Sequence, residues 1–342
     1  MFEFTVDQPE ALSLIIDTTN ISCAGETDGM VTTIVEGGTG DYQYQWSNNQ
    51  TGEQIINLVA GNYSVVVRDE NDCQISGAAE IIEPSLISLA IADVQNAICF
   101  GDNTGSITVD ATGGNGDFEY SIDGTNFQSS ATLTALPAGD YTITIVDPRG
   151  CTEMINASVT QPEPLVVDAG EDQTIDLGFS TDIQAVTGPF GRPVAFSWSN
   201  PDALDCVDCP NPVAAPVRTT TFAITIIDET NCTATDSLTV FVNLIRPLFI
   251  PNVFSPNSDG NNDRFSIFGG VAAAQINELQ VYDRWGNLVY DGKNLPINSL
   301  QTGWDGFFNG QELQPGVYAF VAQILFIDDF VETVSGDVTL VK

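Results

Sequence analysis

Ala60-Gly-Asn-Tyr-Ser-Val-Val-Val-Arg-Asp69 and Ala138-Gly-Asp-Tyr-Thr-Ile-Thr-Ile-Val-Asp147 decide the fold of this chain. Each runs from a glycine turn into an aromatic residue and then alternates in the period-two manner of a half-buried strand. Each ends on an aspartate four residues before a cysteine, Cys73 or Cys151. Phe222-Ala-Ile-Thr-Ile-Ile-Asp228, followed by Cys232, keeps the same spacing a third time.

Outward from these stretches, one module stands twice. Cys23 answers Cys99, Gly37-Gly38 answers Gly113-Gly114, and Asp41-Tyr-Gln-Tyr44 answers Asp117-Phe-Glu-Tyr120. The offset is 76 residues early in the unit and 78 late, so two residues are inserted between Tyr120 and Tyr141. Proline phrases close the modules: Gln8-Pro-Glu-Ala-Leu12, Glu83-Pro-Ser-Leu-Ile87 and Gln161-Pro-Glu-Pro-Leu165. The first phrase has no module before it. The expectation is therefore that the natural protein continues upstream with at least one more repeat, and that a secretory signal lies there. Met1-Phe-Glu-Phe-Thr-Val-Asp7 has neither the basic region nor the apolar core of such a signal.

Glycine, asparagine and aspartate clusters separate the alternating runs at roughly 8 to 12 residues, the rhythm of a β-sandwich. Gly269-Gly-Val-Ala-Ala-Ala-Gln275 is the sole helix candidate and reads as a loop. The expected fold class is all-β: tandem Ig-like β-sandwich modules in an extended array, with short proline-bearing links giving a semi-rigid rod. The expected boundaries are 1–12 for the end of a preceding repeat, 13–87 and 88–165 for the two repeats, 166–245 for a divergent third module, and 246–342 for a final domain.

Composition bounds the function. The 342 residues suit several modules of domain size, and no apolar run approaches the ~18 residues of a membrane helix. Forty-six acids against nine bases give a net charge of -37, which argues against nucleic acid or anionic lipid as partner. Such a surface keeps a protein soluble; a second reading is that its carboxylates collect divalent cations. Residues 1–245 hold 35 acids and four bases, whereas residues 246–342 hold 11 and five, so the final domain is physically different. The absence of histidine removes Ser-His-Asp and Cys-His catalysis and most zinc sites.

Seven cysteines carry a pattern. Cys23 and Cys73 lie 50 residues apart, and Cys99 and Cys151 lie 52 apart at the same places of the second repeat. Like pairs in like modules predict one disulfide within each, Cys23–Cys73 and Cys99–Cys151, each stabilising by roughly 3 to 4 kcal/mol in an oxidising compartment. Cys206-Val-Asp-Cys209 and Cys232 leave two options. One is a short Cys206–Cys209 bridge with Cys232 free; the other joins one of that pair to Cys232. The short bridge is preferred. A zinc site lacks a fourth ligand, and a redox role lacks the helix start such a motif uses.

The final domain holds three ordered phrases: Asn252-Val-Phe-Ser-Pro-Asn-Ser-Asp-Gly-Asn-Asn-Asp263, Val281-Tyr-Asp-Arg-Trp-Gly-Asn-Leu-Val-Tyr290, and Gly303-Trp-Asp-Gly-Phe-Phe-Asn-Gly310 followed by Leu313-Gln-Pro-Gly-Val-Tyr318. Together they resemble the gliding-motility-associated C-terminal domain of Bacteroidota, the type B signal of the type IX secretion system. The repeats resemble the SprB-type repeats of gliding adhesins over roughly residues 11–164. The third module, from Asp168-Ala-Gly-Glu-Asp-Gln-Thr174, more loosely resembles a PKD-like or immunoglobulin-like domain. The resemblance implies export to the cell surface, with the type IX secretion translocon and a PorP/SprF-like outer-membrane protein as partners. It also implies that the fold itself is what the translocon reads.

Candidate sites follow. Asn257, Asp259, Asn261 and Asp263 place oxygen-bearing side chains at every second position of a tight turn, as calcium loops do. The alternative is an Asx turn bonding its own backbone. It is not an EF-hand, since Phe268 stands where the bidentate glutamate belongs. Arg264, Arg284, Trp285, Trp304 and Asp305 are candidate partner-binding residues, a guanidinium beside an indole being a common interface anchor; the competing reading puts Trp285 and Trp304 in the core. Tyr44, Trp46, Tyr120 and Trp198 could stack surface polysaccharide, although their strand positions favour packing. Asp17-Thr-Thr19 and Asp236-Ser-Leu238 are short patterns that resemble Bacteroidota O-glycosylation sites.

The function expected is the C-terminal part of a non-enzymatic, secreted adhesin or gliding-associated protein whose last domain is its export address. The alternative is the accessory tail of a large secreted enzyme with its catalytic domain upstream. A carboxylate-pair hydrolase within these residues is a third, weaker reading, because short sandwich modules offer no deep cleft.

Overall fold

The structure is a computed structural model that describes residues 7–189 and 194–342; residues 1–6 of the expected preceding repeat lie outside the described residues. Among the described residues the regular structure is strand, apart from a single 3-10 turn at Pro201–Ala203. The chain is all-β with Ig-like sandwiches, in two compact units, Met1–Glu163 and Pro164–Lys342.

In the first unit, the alternation of Gly61–Arg68 becomes a one-sided strand. Val65 and Val67 are fully buried and Ser64 faces water. That strand pairs antiparallel with Gln43–Trp46 on one side and Gln74–Ile81 on the other. A second three-stranded sheet, Ser13–Thr19, Gly29–Glu36 and Gln54–Leu58, supplies the opposite layer. Ile21, Val31, Trp46, Ile55 and Leu58 fill the core they share with Val65 and Val67. The second repeat has the same topology, with Gly139–Val146 between Glu119–Ser121 and Thr152–Val159, and Gly105–Gly114 between Ser85–Gln95 and Thr132–Leu136. Its separate core is Ile107, Val109, Tyr120, Leu133, Ile143 and Ile145.

Two local devices recur. Tyr63, Tyr141 and Tyr318 each donate a hydroxyl hydrogen bond to a carbonyl four residues upstream, at Val59 (2.9 Å), Pro137 (2.7 Å) and Gln314 (2.8 Å). This is the tyrosine corner of Ig-like sandwiches. The second device is an aspartate hairpin. Asp69 Oδ1 accepts from the backbone N–H groups of Asn71 and Cys73, both at 2.9 Å. Asp147 Oδ1 does the same with Arg149 and Cys151, and Asp228 Oδ1 with Thr230 and Cys232. The residue before each cysteine takes a positive φ: 64° at Asp72, 88° at Gly150 and 64° at Asn231. Asparagine, aspartate and glycine tolerate that conformation, which explains their presence at the turn.

The disulfides correct the expected pairing. Cys23 is bonded to Cys151, with Cα atoms 5.6 Å apart, so neither Cys23–Cys73 nor Cys99–Cys151 forms. The physical reason is the length of one strand. Ile21 N–H bonds the carbonyl of Ile82, which places Cys23 at the far end of Gln74–Ile81 from Cys73. Eight residues of strand extend about 26 Å, several times the ~7 Å that a disulfide spans. In the second repeat Ala97 N–H bonds Thr160, with Thr152–Val159 separating Cys99 from Cys151 in the same way. Cys73 is a free, exposed thiol.

In the second unit, the third module holds a four-stranded sheet in the order Gln173–Asp176, Thr233–Asn243, Thr220–Asp228, Val194–Trp198, its first pair parallel. Its core is Trp198, Phe222, Ile224, Ile226, Leu238 and Val240. Cys206 and Cys209 are bridged, and the loop they close is held by Trp198, whose indole donates to the Cys209 carbonyl at 2.9 Å. Cys232 is itself disulfide-bonded, so the option that left it free does not hold. The final domain is a five-stranded sheet in the order Val253–Phe254, Val331–Leu340, Gly316–Phe326, Ala273–Tyr282, Leu288–Pro296. The Gly269–Gln275 segment is no helix: its last residues begin the Ala273–Tyr282 strand.

Candidate functional site

The three phrases of the final domain converge, and they do so in two different ways. Part of each phrase builds the core. Val253 and Phe254 pair in parallel with Thr339 and Leu340, and Phe265 bridges Trp304 through reciprocal N–H···O bonds of 2.8 and 3.0 Å. Trp304 is fully buried, its ring centroid 5.1 Å from Phe254 and 4.7 Å from Tyr318. Its indole N–H is satisfied by the Phe307 carbonyl at 3.2 Å. Gly303, at φ 117°, lies against the Phe265 backbone so closely that a Cβ would stand 2.1 Å from the carbonyl oxygen. Trp304 is therefore a core ring, as the competing reading placed it. A large apolar ring at the end of the Phe254–Phe265–Phe320 cluster is worth more buried than exposed.

The rest forms a surface. Asp283-Arg-Trp-Gly-Asn287 joins Ala273–Tyr282 to Leu288–Pro296 and is a fourth copy of the aspartate hairpin. Asp283 Oδ1 accepts from the Trp285 and Asn287 backbone N–H groups at 2.9 Å, and Oδ2 accepts from the Asn287 amide at 2.8 Å. Gly286 takes φ 82°. The Asn287 side-chain donor, with these backbone donors, holds the Asp283 carboxyl below its ordinary value despite its partial desolvation. The turn is thus stiff, and it presents Arg284 and Trp285 outward. Trp285 is 75% exposed, and the Arg284 guanidinium sits 4.7 Å from the centre of its ring, within cation–π reach.

Facing this pair is the segment Leu313–Tyr318. With Asp283, Arg284 and Trp285 it lines an open groove of about 480 Å³. Val317 is exposed on its rim. Tyr318 closes its floor, its hydroxyl locked to Gln314; burial, reinforced by Asp283 and opposed by Arg284, raises its phenol. The groove thus joins two phrases that are separate in sequence. Sequence reasoning named Arg284 and Trp285 and missed Leu313–Tyr318 as their counterpart. It also missed Asp283 as the pin, although the earlier aspartate hairpins carry the same signal.

Arg264 and Asp305 lie outside this groove. They form a half-exposed ion pair at 3.6 Å, and Arg264 also donates to the Gly303 carbonyl at 3.1 Å, so their visible work is to fasten the Trp304 loop. Arg246, which the sequence reading did not single out, ion-pairs with the largely buried Asp328 and stacks over Phe330 at 4.3 Å.

The Asn257–Asp263 turn is bonded to itself. Asn257 Oδ1 accepts from Asp259 N–H (3.0 Å), and Asp259 Oδ1 accepts from Asn261 N–H (2.7 Å). The Asp263 carboxylate accepts from Ser258 N–H (2.7 Å) and Gly260 N–H (2.8 Å). This is Asx-turn geometry. Asn261 contributes its backbone N–H to the set. No group of three or more carboxylate, cysteine or histidine side chains placed to hold a metal occurs among the described residues.

Trp46, Tyr120 and Trp198 are buried and Tyr44 packs against its repeat's core, so none of these rings is a free stacking platform. Asp17, Thr18 and Thr19 are exposed on a strand, whereas Asp236 is half-buried and accepts from Ala169 N–H at 2.8 Å.

Residues 248–339 match the CHU_C type IX secretion signal domain, and residues 15–51 and 91–127 each match the SprB repeat. No curated protein matches the chain. Among solved structures it is similar to the tetra-tandem repeat in the extending region of a large adhesion protein, at 13% identity, covering 97% of this chain and 100% of that one, with a TM-score of 0.29. The human desmocollin-1 ectodomain is similar at 10% identity, covering 94% and 77%, with a TM-score of 0.30. Sidekick-1 immunoglobulin domains 1–5 are similar at 12% identity, covering 95% and 77%, with a TM-score of 0.29. This chain carries SprB repeats followed by a CHU_C type IX secretion signal domain, and it is a secreted, cell-surface protein of gliding-associated or adhesin-like type.

Proposed function

We propose that the final domain is read by the type IX secretion machinery through the Arg284–Trp285 groove, and that a PorP/SprF-like outer-membrane protein then retains the chain at the surface. The observation that carries this is the exposed indole, capped by a guanidinium and held on a pinned hairpin opposite Leu313–Tyr318. Exposed aromatic and arginine residues on a rigid support are the commonest binding anchors, because little entropy is lost when they dock. The modest charge of residues 246–342 supports the same assignment, since this surface repels an acidic partner less than the remainder of the chain would.

In this reading the chain acts without catalysis, and the modules before the final domain serve as spacers or adhesive elements. Export in a gliding bacterium tests it. Joined behind a secretory signal peptide, the chain bearing Arg284→Ala and Trp285→Ala should accumulate in the periplasm, while the parent sequence behind the same signal becomes accessible to protease added outside intact cells. Equal surface exposure of both would overturn the groove as the recognition element.

A further inference from the structure

Each repeat carries two complementary ends. One is a cysteine turn. In Ser22–Glu26, Glu26 N–H bonds the Cys23 carbonyl (3.1 Å) and Gly25 N–H bonds Glu83 Oε1 (2.5 Å). The turn after Cys99 is built alike, with Asp102 N–H on the Cys99 carbonyl (3.2 Å) and Gly101 N–H on Gln161 (2.7 Å). The other end is the aspartate hairpin with the groove beside it. In the second repeat that groove receives the first repeat's cysteine turn. Cys151 is bonded to Cys23, the Cys151 sulfur lies 3.2 Å from the Ser22 carbonyl oxygen, and the Asn115 amide donates to the same oxygen at 2.9 Å.

The first repeat has the same receptor around Cys73. A groove of about 380 Å³ is lined by Glu10, Leu12, Gly38, Asp69, Asn71 and Cys73, among others. Their counterparts Ser85, Ile87, Gly114 and Cys151 line the groove that holds Cys23. Cys73 is fixed as Cys151 is, its N–H on the aspartate carboxylate (2.9 against 3.0 Å) and its carbonyl bonded by the aspartate N–H (3.0 Å in both). Position 39 is threonine where the second repeat has Asn115. An amide is nevertheless supplied by Asn71, whose Nδ2 lies 2.6 Å from Thr39 Oγ1 with a second N–H to spare.

We propose that the Cys73 groove is the receptor for the cysteine turn of a further SprB-type repeat placed head to tail before this one. Docking ends in a disulfide, as it does between Cys23 and Cys151. The chemistry balances as exchange with a small-molecule or protein disulfide. The two thiols become one disulfide, the external disulfide is reduced to two thiols, and the two protons pass to them. Repeats of this kind are thereby stapled between modules and not within them. The inference concerns the repeats alone and does not depend on how the final domain is read.

The test places a second copy of residues 8–82, carrying Cys73→Ser, in front of residues 8–342, refolds the chain in a glutathione redox buffer, and selects material holding the Cys23–Cys151 bond as proof of folding. Non-reducing peptide mapping should find the added copy's Cys23 bonded to Cys73. Alkylation of the single remaining Cys73 should fall to below about one-fifth of that in the parent chain. Replacing the remaining Cys73→Ser as well should return the added Cys23 to full alkylation. Overturning results are a fully alkylated Cys73, a Cys73 bonded to any cysteine other than the added copy's Cys23, or dimers linked through Cys73.

Discussion

Cys23 and Cys151 are 128 residues apart in sequence and joined by a disulfide whose Cα atoms lie 5.6 Å apart. The bond ties the turn that ends one repeat's first strand to the aspartate hairpin of the next. It therefore acts on the packing of two modules, each with its own core, and not on the interior of either.

Because the closed loop is long, the Cys23→Ser and Cys151→Ser variants should each lose up to about 5 kcal/mol of unfolding free energy in the repeat unit. Cys73→Ser should leave stability within about 0.5 kcal/mol of the parent. Urea denaturation followed by tryptophan fluorescence measures both. Equal losses for Cys73 and Cys151 would contradict the pairing.

The two tryptophans of the final domain should separate stability from recognition. Trp304→Ala removes a fully buried ring and should cost about 3 to 5 kcal/mol. Trp285→Ala, at 75% exposure, should change stability by less than about 0.5 kcal/mol. Thermal melts of the two variants decide the matter.

Gly303→Ala should destabilise by more than about 2 kcal/mol, since its φ is unfavourable for an L side chain and its Cβ would overlap a backbone oxygen that cannot yield. Gly310→Ala, which takes a positive φ but has nothing within 4 Å of its Cβ position, is the control and should cost much less.

Stability should fall in acid. Burial alone would raise Asp69 and Asp147, but the N–H groups of Cys73, Thr39 and Asn71 around the first and those of Asn115, Cys151 and Arg149 around the second outweigh it, and both carboxyls sit below the ordinary value of 3.8. Asp283 is lowered chiefly by Asn287. A carboxyl lowered in the folded state contributes fully above its unfolded value, and the contribution disappears as pH drops through the folded one. The loss should therefore begin near pH 4 and continue below it, whereas relief of charge repulsion acts in the opposite sense from higher pH. Asp147→Asn should flatten the acid limb of a stability-against-pH curve.

Calcium has a direct readout at Asn257–Asp263. To bind it, Asp259 and Asp263 would exchange the turn's N–H donors for the ion. With the loop already satisfied, moving from chelator to millimolar calcium should raise the midpoint of the final domain by less than about 2 °C. A rise that is larger and is abolished by Asp263→Asn would establish the ion there.

Most of the fold could be read from residues such as Val65 and Val67, because a period-two pattern with one buried face leaves a strand little choice. Repetition then carried the reading from one module to the next. Disulfide pairing was not legible in the same way. Equal spacing of Cys23 from Cys73 and of Cys99 from Cys151 says that two positions recur, but not which pole of the sandwich each occupies. The strands between them settle that. At the candidate site, Arg284 and Trp285 could be picked out, but Trp304 looked similar in sequence. Only the packing of Phe254 and Tyr318 against it separates a core ring from a surface one. The wall formed by Leu313–Tyr318 is a product of strand order, which brings Gly316–Phe326 beside Ala273–Tyr282.

Quantitative capture from outer-membrane extract tests the central claim most directly. The 342-residue chain immobilised on resin should retain a secretion-system or PorP-like outer-membrane protein. The double variant Arg284→Ala, Trp285→Ala, with an unchanged melting curve, should retain at least about fivefold less, the equivalent of roughly 1 kcal/mol. Undiminished capture by the folded double variant would contradict recognition through this groove.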